Sequence, residues 1–217
     1  RLVFQRDADV VFSAESLSIV RGGLVLAEDL EVTIRRGESL VIVGDNGAGK
    51  TTLLHELVQR AGHNPSVMAF VPTDPAEMFV AETVRDELAF TDKYLGLPPG
   101  FTRASLESLL PGQWRADTFA RMMETHPRDV SRGQQTALAI ALQMSHKPLV
   151  LALDEPTRGL DAGARGALGD VLLCVRETGT AVISASHDDD FVSLHSDRIL
   201  RLSNGLLTLE KTGVSRV

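Results

Sequence analysis

Cysteine is nearly absent. Cys174 is the single example in 217 residues, so neither a disulfide framework nor a cysteine-based zinc site can form within the chain. It sits in the apolar run DVLLCVRE and reads as a buried core thiol, a usage that fits a reducing compartment. No apolar run approaches the ~18–20 residues of a transmembrane helix, so any membrane role must be exercised through a partner. No run of lysine and arginine stands out, and the net charge is −7 with a pI of about 5.4. Both argue against a broad nucleic-acid-binding surface. No signal peptide is visible either, and the mixed start without an initiating Met raises the expectation of a piece cut from a longer chain. No internal repeat or low-complexity segment appears. What remains is an ordinary globular composition, 43% hydrophobic and 24% charged, enough for one large domain or two small ones.

Short β-type runs recur along the chain: VVFSAESLSIV, LEVTIRR, SLVIVG, VMAFVP, PLVLALDE, TAVISAS, DRILRLS and LLTLE. Those at Leu40–Val43, Leu149–Leu153 and Ala181–Ala185 are essentially apolar throughout, as strands buried on both faces of a sheet should be. Strands alternating with helical patterns imply an α/β core with parallel pairing. Between Asp74 and Lys147 the texture becomes helix-rich and is broken by GLPPG, LPGQW and THPRD, which reads as a helical insertion. After Leu200 a strand–turn–strand is expected, with Asn204-Gly205 as the tight turn.

The strongest chemical signal is LVIVGDNGAGKTTLL. A strand leads into Gly44, four residues follow, and Gly49-Lys50-Thr51 opens a helix. This is the G-x-x-x-x-G-K-[ST] phosphate loop in its required context. Its residues Gly44, Asp45, Asn46, Gly47, Ala48, Gly49, Lys50, Thr51 and Thr52 curl so that successive N–H groups face phosphate. Lys50 can reach the β- and γ-phosphates, the Thr51 hydroxyl can bind Mg²⁺, and the helix N-terminus adds its dipole. The apolar strand in PLVLALDEPTRGLD ends in Asp154-Glu155. Asp154 can hold Mg²⁺ through its waters, and Glu155 stands where a general base would polarise the attacking water. In VISASHDDD, His187 follows a third buried strand and can contact the γ-phosphate or that water. Asp188, Asp189 and Asp190 read as the acidic first turn of a helix. The remaining histidines show no metal spacing. In RDVSRGQQTALAIAL, Ser131 reads as an N-cap, and the helix start behind it as an anion site.

The order of phosphate loop, helical insertion, VSRGQ, LALDEPTRGLD and SHD resembles the nucleotide-binding domain of ABC-type ATPases over essentially the whole chain. The resemblance implies an α/β P-loop NTPase fold with a mostly parallel core sheet and an N-terminal antiparallel β portion. It implies one domain over 1–217: core and β portion at 1–73 and 147–217, and a helical subdomain at 74–146. In that family two such domains pair head to tail, each ATP lying between the phosphate loop of one and the signature of the other. The implied roles are nucleotide binding for Gly44–Thr52, catalysis for Lys50, Glu155 and His187, and Mg²⁺ binding for Thr51 and Asp154. Ser131, Arg132, Gly133 and Gln134 form the signature facing the partner's ATP, and Asp161 belongs to the D-loop. AFVPTDPAEMFVAETVRDELAF resembles energy-coupling-factor and cobalt-type importer ATPases. HPRDVSRGQQTALAIAL with LDEPTRGLD resembles the second half of fused two-ATPase versions.

The implied function is an ATP-hydrolysing motor for a vitamin or metal-ion importer, held at the cytoplasmic face of the membrane by a transmembrane partner, with no direct nucleic-acid contact. The insertion and the loop from Thr73 to Phe79 would receive that partner. The alternatives are a regulatory half with little turnover and a soluble ABC ATPase acting on nucleic acid. The departures from the family pattern are specific. Thr73 stands at the Q-loop glutamine position and is too short to reach both Mg²⁺ and a membrane partner. No aromatic occupies the adenine-stacking place, which leaves Arg21, with Phe12 a remote alternative. Arg132 replaces a signature glycine, and the first expectation is damage: it lacks glycine's backbone freedom and crowds a close approach. On that expectation Arg132→Gly would raise turnover at the partner's site alone. The compensating reading gives its guanidinium charge-assisted contacts to the partner's γ-phosphate.

Overall fold

The computed structural model describes residues 9–110 and 116–212, without the side chains of Arg21, Leu24, Ala116, Lys211 and Thr212. Most of the LPGQW break expected from sequence lies outside the described residues.

Two long strands open the chain, β1 (Val10–Arg21) and β2 (Leu24–Arg35), paired antiparallel around Gly22-Gly23. Both glycines have positive φ, 59° and 81°, the backbone that a two-residue hairpin turn demands. β3 (Ser39–Val43) then leads into α1 (Lys50–Arg60), followed by β4 (Met68–Val71). A 3₁₀ turn at Pro75–Met78 precedes α2 (Val84–Leu95), α3 (Phe101–Leu109), α4 (Ala116–Met123) and α5 (Arg132–Met144). The core resumes with β5 (Val150–Asp154), α6 (Ala162–Glu177), β6 (Ala181–Ala185), α7 (Asp189–His195), β7 (Arg198–Ser203) and β8 (Leu206–Thr212).

The main sheet has the order β4-β5-β6-β3-β7-β8. Its first five strands run parallel, and β8 turns back antiparallel on β7. The expected hairpin turn is present, with Asn204 at φ 49° and Gly205 at φ 75°. β3, β5 and β6 are buried at every position, as their apolar runs require. The reason is a two-sided core with period 2. Val150 and Ala152 face one apolar cluster, with β1, β2 and Leu53, Leu54 and Leu57 of α1. Leu151 and Leu153 face the other, with α5, α6 and the helices of the insertion. Cys174 packs at the margin of this second cluster, partly rather than fully buried, and is a free thiol. Among the described residues no helix is long and apolar enough to cross a membrane.

This arrangement sets the site. The parallel strands β3, β5 and β6 end at one edge of the sheet, so the residues just past them gather there.

Candidate active site

The segment after β3 is a backbone cradle. Gly44 and Gly49 have φ of 156° and 104°, and neither tolerates a side chain. A Cβ on Gly44 would stand 2.3 Å from the Leu202 carbonyl oxygen, and one on Gly49 would stand 2.9 Å from Ile19 Cγ2. Gly44→Ala is therefore expected to cost about 1–3 kcal/mol of stability through overpacking against fixed backbone, measured by urea unfolding. Asn46, Gly47, Gly49, Lys50, Thr51 and Thr52 line a pocket of about 350 Å³ that Glu155 closes on one side. The Lys50 ammonium donates to the carbonyls of Gly44 at 2.8 Å and Asp45 at 3.2 Å, and lies 4.0 Å from Glu155 Oε1. A buried ammonium held by its own loop, beside exposed helix-end amides, is what a polyphosphate needs.

Asp154 ends β5 and is 4% exposed. Its carboxylate accepts from Thr51 Oγ1 at 3.0 and 3.1 Å, and from Thr73 Oγ1 at 2.5 Å. Thr73 was expected to be too short to reach both the metal and a membrane partner; its hydroxyl is turned inward, onto Asp154. Burial beside a phosphate pocket with hydroxyl partners suits a divalent cation. No group of three or more metal-ligating His, Cys, Asp or Glu side chains occurs among the described residues. A cation here would take its remaining ligands from phosphate oxygens and water.

Glu155 adopts φ 48°, a strained conformation for a non-glycine residue, and its N–H donates to Ala185 O at 2.9 Å. That turn lifts the carboxylate off the sheet toward the pocket. Glu155 Oε2 lies 2.6 Å from His187 Nδ1. His187 is 60% exposed at its side chain against 15% for Glu155, so the imidazole is the solvent-facing member of the pair. The next residue, Asp188, caps α7 by accepting from the Phe191 N–H at 3.0 Å, and Asp189 and Asp190 fill the first helical turn as expected. Burial pushes Asp188 up, but the Phe191 amide and the Arg165 guanidinium at 2.9 Å outweigh it and hold it below the usual carboxylate range.

The signature residues at the start of α5 do not line this pocket, but Arg132 borders an adjoining cavity of about 1080 Å³ with Thr51, Thr73 and Asp154. Ser131 and Gln134 form a reciprocal capping box, which confirms the N-cap read from sequence. A Cβ on Gly133 would meet Ala164 of α6 at 3.3 Å, so this end packs beside the turn that Asp161 caps through the Ala164 N–H at 2.7 Å. Arg132 is the first residue of α5 and does not have positive φ, so the loss of glycine's backbone freedom carries no penalty there. Its guanidinium turns away from the helix end, toward Thr73 and Asp74 of the same chain. Both expectations for Arg132 placed its effect at a partner; the contacts described are internal. The Arg21 side chain, expected to stack on adenine, lies outside the described residues. Phe12 packs into the β1–β2 cluster. Sequence reading missed Glu87, whose buried carboxylate accepts from the Val80 and Ala81 N–H groups at 2.9 and 2.8 Å. Its signal was an acid three residues after Val84 and beside Leu88, on the buried face of α2.

A phosphate loop after β3, carboxylates at the end of β5 and a histidine after β6, the strand between them, define a P-loop nucleotide site. The sequence profile of the ABC transporter family matches residues 27–158, more than half of the chain, and the chain belongs to that family. An ABC transporter ATP-binding protein of Streptomyces avermitilis is 36% identical over 90% of this chain and 37% of its own length. An HMP/thiamine import ATP-binding protein of Bacillus subtilis, YkoD, is 31% identical over 88% of this chain and 37% of its own. The structure of CbiO1 from Clostridium perfringens, part of the ABC transporter complex cbiONQ, superposes with a TM-score of 0.74 at 24% identity, covering 93% of this chain and 88% of that one. The chain spans less than half the length of these curated relatives.

Proposed function

We propose that this chain is an ATP-hydrolysing cassette that powers a membrane importer of the energy-coupling-factor type, taking up a vitamin or metal ion, and that it works head to tail with a second cassette. The observation that carries the reading is that Lys50, Thr51 and Glu155 line one pocket, with Asp154 joined to it through Thr51 and His187 through Glu155, while no residue of the capped start of α5 lines it. One chain thus offers a hydrolytic half and, separately, an anion-binding helix end for another chain's nucleotide. The 2.5 Å bond from Thr73 to Asp154 weighs against a purely regulatory half, since the substituted position still meets the metal carboxylate.

ATP would lie with its phosphates in the cradle and on Lys50. Thr51 and Asp154 would hold Mg²⁺, which supplies charge neutralisation across the β- and γ-phosphates. Glu155 takes a proton from water as the water oxygen bonds to the γ-phosphorus and the bond to ADP breaks. The His187 contact holds the Glu155 carboxylate in place for that transfer. Ser131 to Gln134 would present their helix end to the γ-phosphate bound by the partner, with Asp161 beside it.

Toward the transmembrane subunit, the fold offers an exposed apolar patch on the insertion. Val80, Phe90 and Tyr94 are 71%, 53% and 77% exposed, and the Phe90 and Tyr94 rings stack at 6.2 Å. Glu87 pins the backbone at Val80 beside it. Such a patch fits a partner that reaches the membrane on this chain's behalf, at the cytoplasmic face. Phe90→Ser with Tyr94→Ser is expected to lower transport about tenfold in reconstituted vesicles, and to leave unfolding free energy within about 0.5 kcal/mol. Unchanged transport would remove this patch from the interface.

A further inference from the structure

Two arginines of the signature segment grip the loop that carries Thr73. Arg132 Nη1 donates to Asp74 Oδ1 at 2.5 Å, and its Nη2 donates to the Thr73 carbonyl. Four residues earlier, in the turn before α5, Arg128 donates from Nε to the Ala76 carbonyl and from Nη2 to the Phe79 carbonyl, each at 3.3 Å. Gln135 joins the two: its Nε2 donates to the Arg128 carbonyl at 2.9 Å, and its Oε1 accepts from Arg132 at 3.4 Å. Asp74 also caps the 3₁₀ turn through the Ala76 N–H at 3.1 Å.

The clasp meets the metal carboxylate through one residue. Thr73 gives its carbonyl to Arg132 and its hydroxyl to Asp154. A threonine has a single rotatable bond before its hydroxyl, so the hydroxyl reaches Asp154 only while the backbone is held close. A longer side chain at this position would search for the site; this one has to be carried there.

We propose that Arg132 is a positioning residue for this chain's own nucleotide site, fixing the Thr73 backbone so that the Thr73 hydroxyl stays on Asp154 and thereby setting how tightly the site takes Mg²⁺ with ATP. The proposal rests on the ATPase reading above. It redirects the arginine from the partner's ATP to this chain's own. The hydrogen bond from Arg132 holds Asp74 below the usual carboxylate range, so the clasp is an ion pair at neutral pH. Groups that support a metal ligand from behind typically change metal affinity about 10–100-fold when removed.

The test uses this chain assembled with its proposed partner cassette, with the partner's phosphate-loop lysine replaced so that only this chain's site loads, and with Glu155→Gln to prevent turnover. Mg²⁺ is titrated against a fixed concentration of fluorescent ATP analogue. Arg132→Ala is expected to raise the Mg²⁺ midpoint about tenfold, Asp74→Asn to raise it less, and Arg132→Lys to recover part of the loss. Thr73→Val is expected to reproduce the shift, and Arg132→Ala on top of Thr73→Val to add nothing. Arg128→Ala, which holds the far end of the loop, should move the midpoint less than Arg132→Ala does. An unchanged midpoint in Arg132→Lys, Arg132→Ala and Asp74→Asn overturns the proposal, as does full additivity of the Arg132 and Thr73 variants. If the parent binds no nucleotide at any Mg²⁺ concentration, the ATPase reading falls first. If the parent binds and the variants titrate like it, only this inference falls.

Discussion

Glu155→Gln is expected to lower the steady-state ATPase rate of the assembled protein by about 10²–10⁴-fold while ATP still binds. The substitution keeps the size and most contacts of the side chain and removes its basicity. Glu155 is placed for proton transfer by three features: its φ of 48°, its N–H bond to Ala185, and the 2.6 Å contact with His187. None of these binds phosphate, so equilibrium affinity for ATP should change little. Parallel measurement of turnover and of nucleotide affinity checks the split. A rate that stays within a few-fold of the parent would move the base elsewhere.

Lys50→Ala is expected to act earlier and to lower both affinity and turnover, the latter by about 10²–10³-fold, as when a preorganised donor to a developing charge is removed. Lys50 is 7% exposed and held at 2.8 and 3.2 Å from its loop carbonyls, so its ammonium is already in position before nucleotide arrives. Isothermal titration with ATP separates this variant from Glu155→Gln: the lysine variant should lose binding heat and the glutamine variant should keep it. Because Lys50 is also 4.0 Å from Glu155, the double variant should cost less than the sum of the singles.

The legible parts of this molecule are those whose causes are local. The phosphate loop needs glycines at fixed offsets between a strand and a helix, and Gly44 and Gly49 sit where no Cβ fits. The buried strands announce themselves because both of their faces are covered, so β3, β5 and β6 read as apolar runs. Ser131 and Gln134 are three residues apart, and their capping box could be read directly. Arg132 could not. Its partners, Thr73 and Asp74, lie 59 and 58 residues earlier, and only the packing of α5 against the loop after β4 brings them together. Reasoning from the signature position alone put the arginine against a partner, because the family pattern speaks of that helix end and not of where a long side chain folds back. The same distance hid the Thr73–Asp154 bond, which spans 81 residues. In both cases residue identity was readable and side-chain direction was not, since direction depends on tertiary neighbours.

On the proposed function, this chain's own phosphate loop hydrolyses the ATP it binds. The most direct measurement is single-turnover hydrolysis of γ-labelled ATP by this chain assembled with its proposed partner cassette, the partner's phosphate-loop lysine replaced so that nucleotide loads only here. Phosphate is expected to leave this site at a rate that falls by about 10²–10⁴-fold in Glu155→Gln. ATP that binds tightly and stays intact with Glu155 present would contradict it, and would make this chain the regulatory half of the pair.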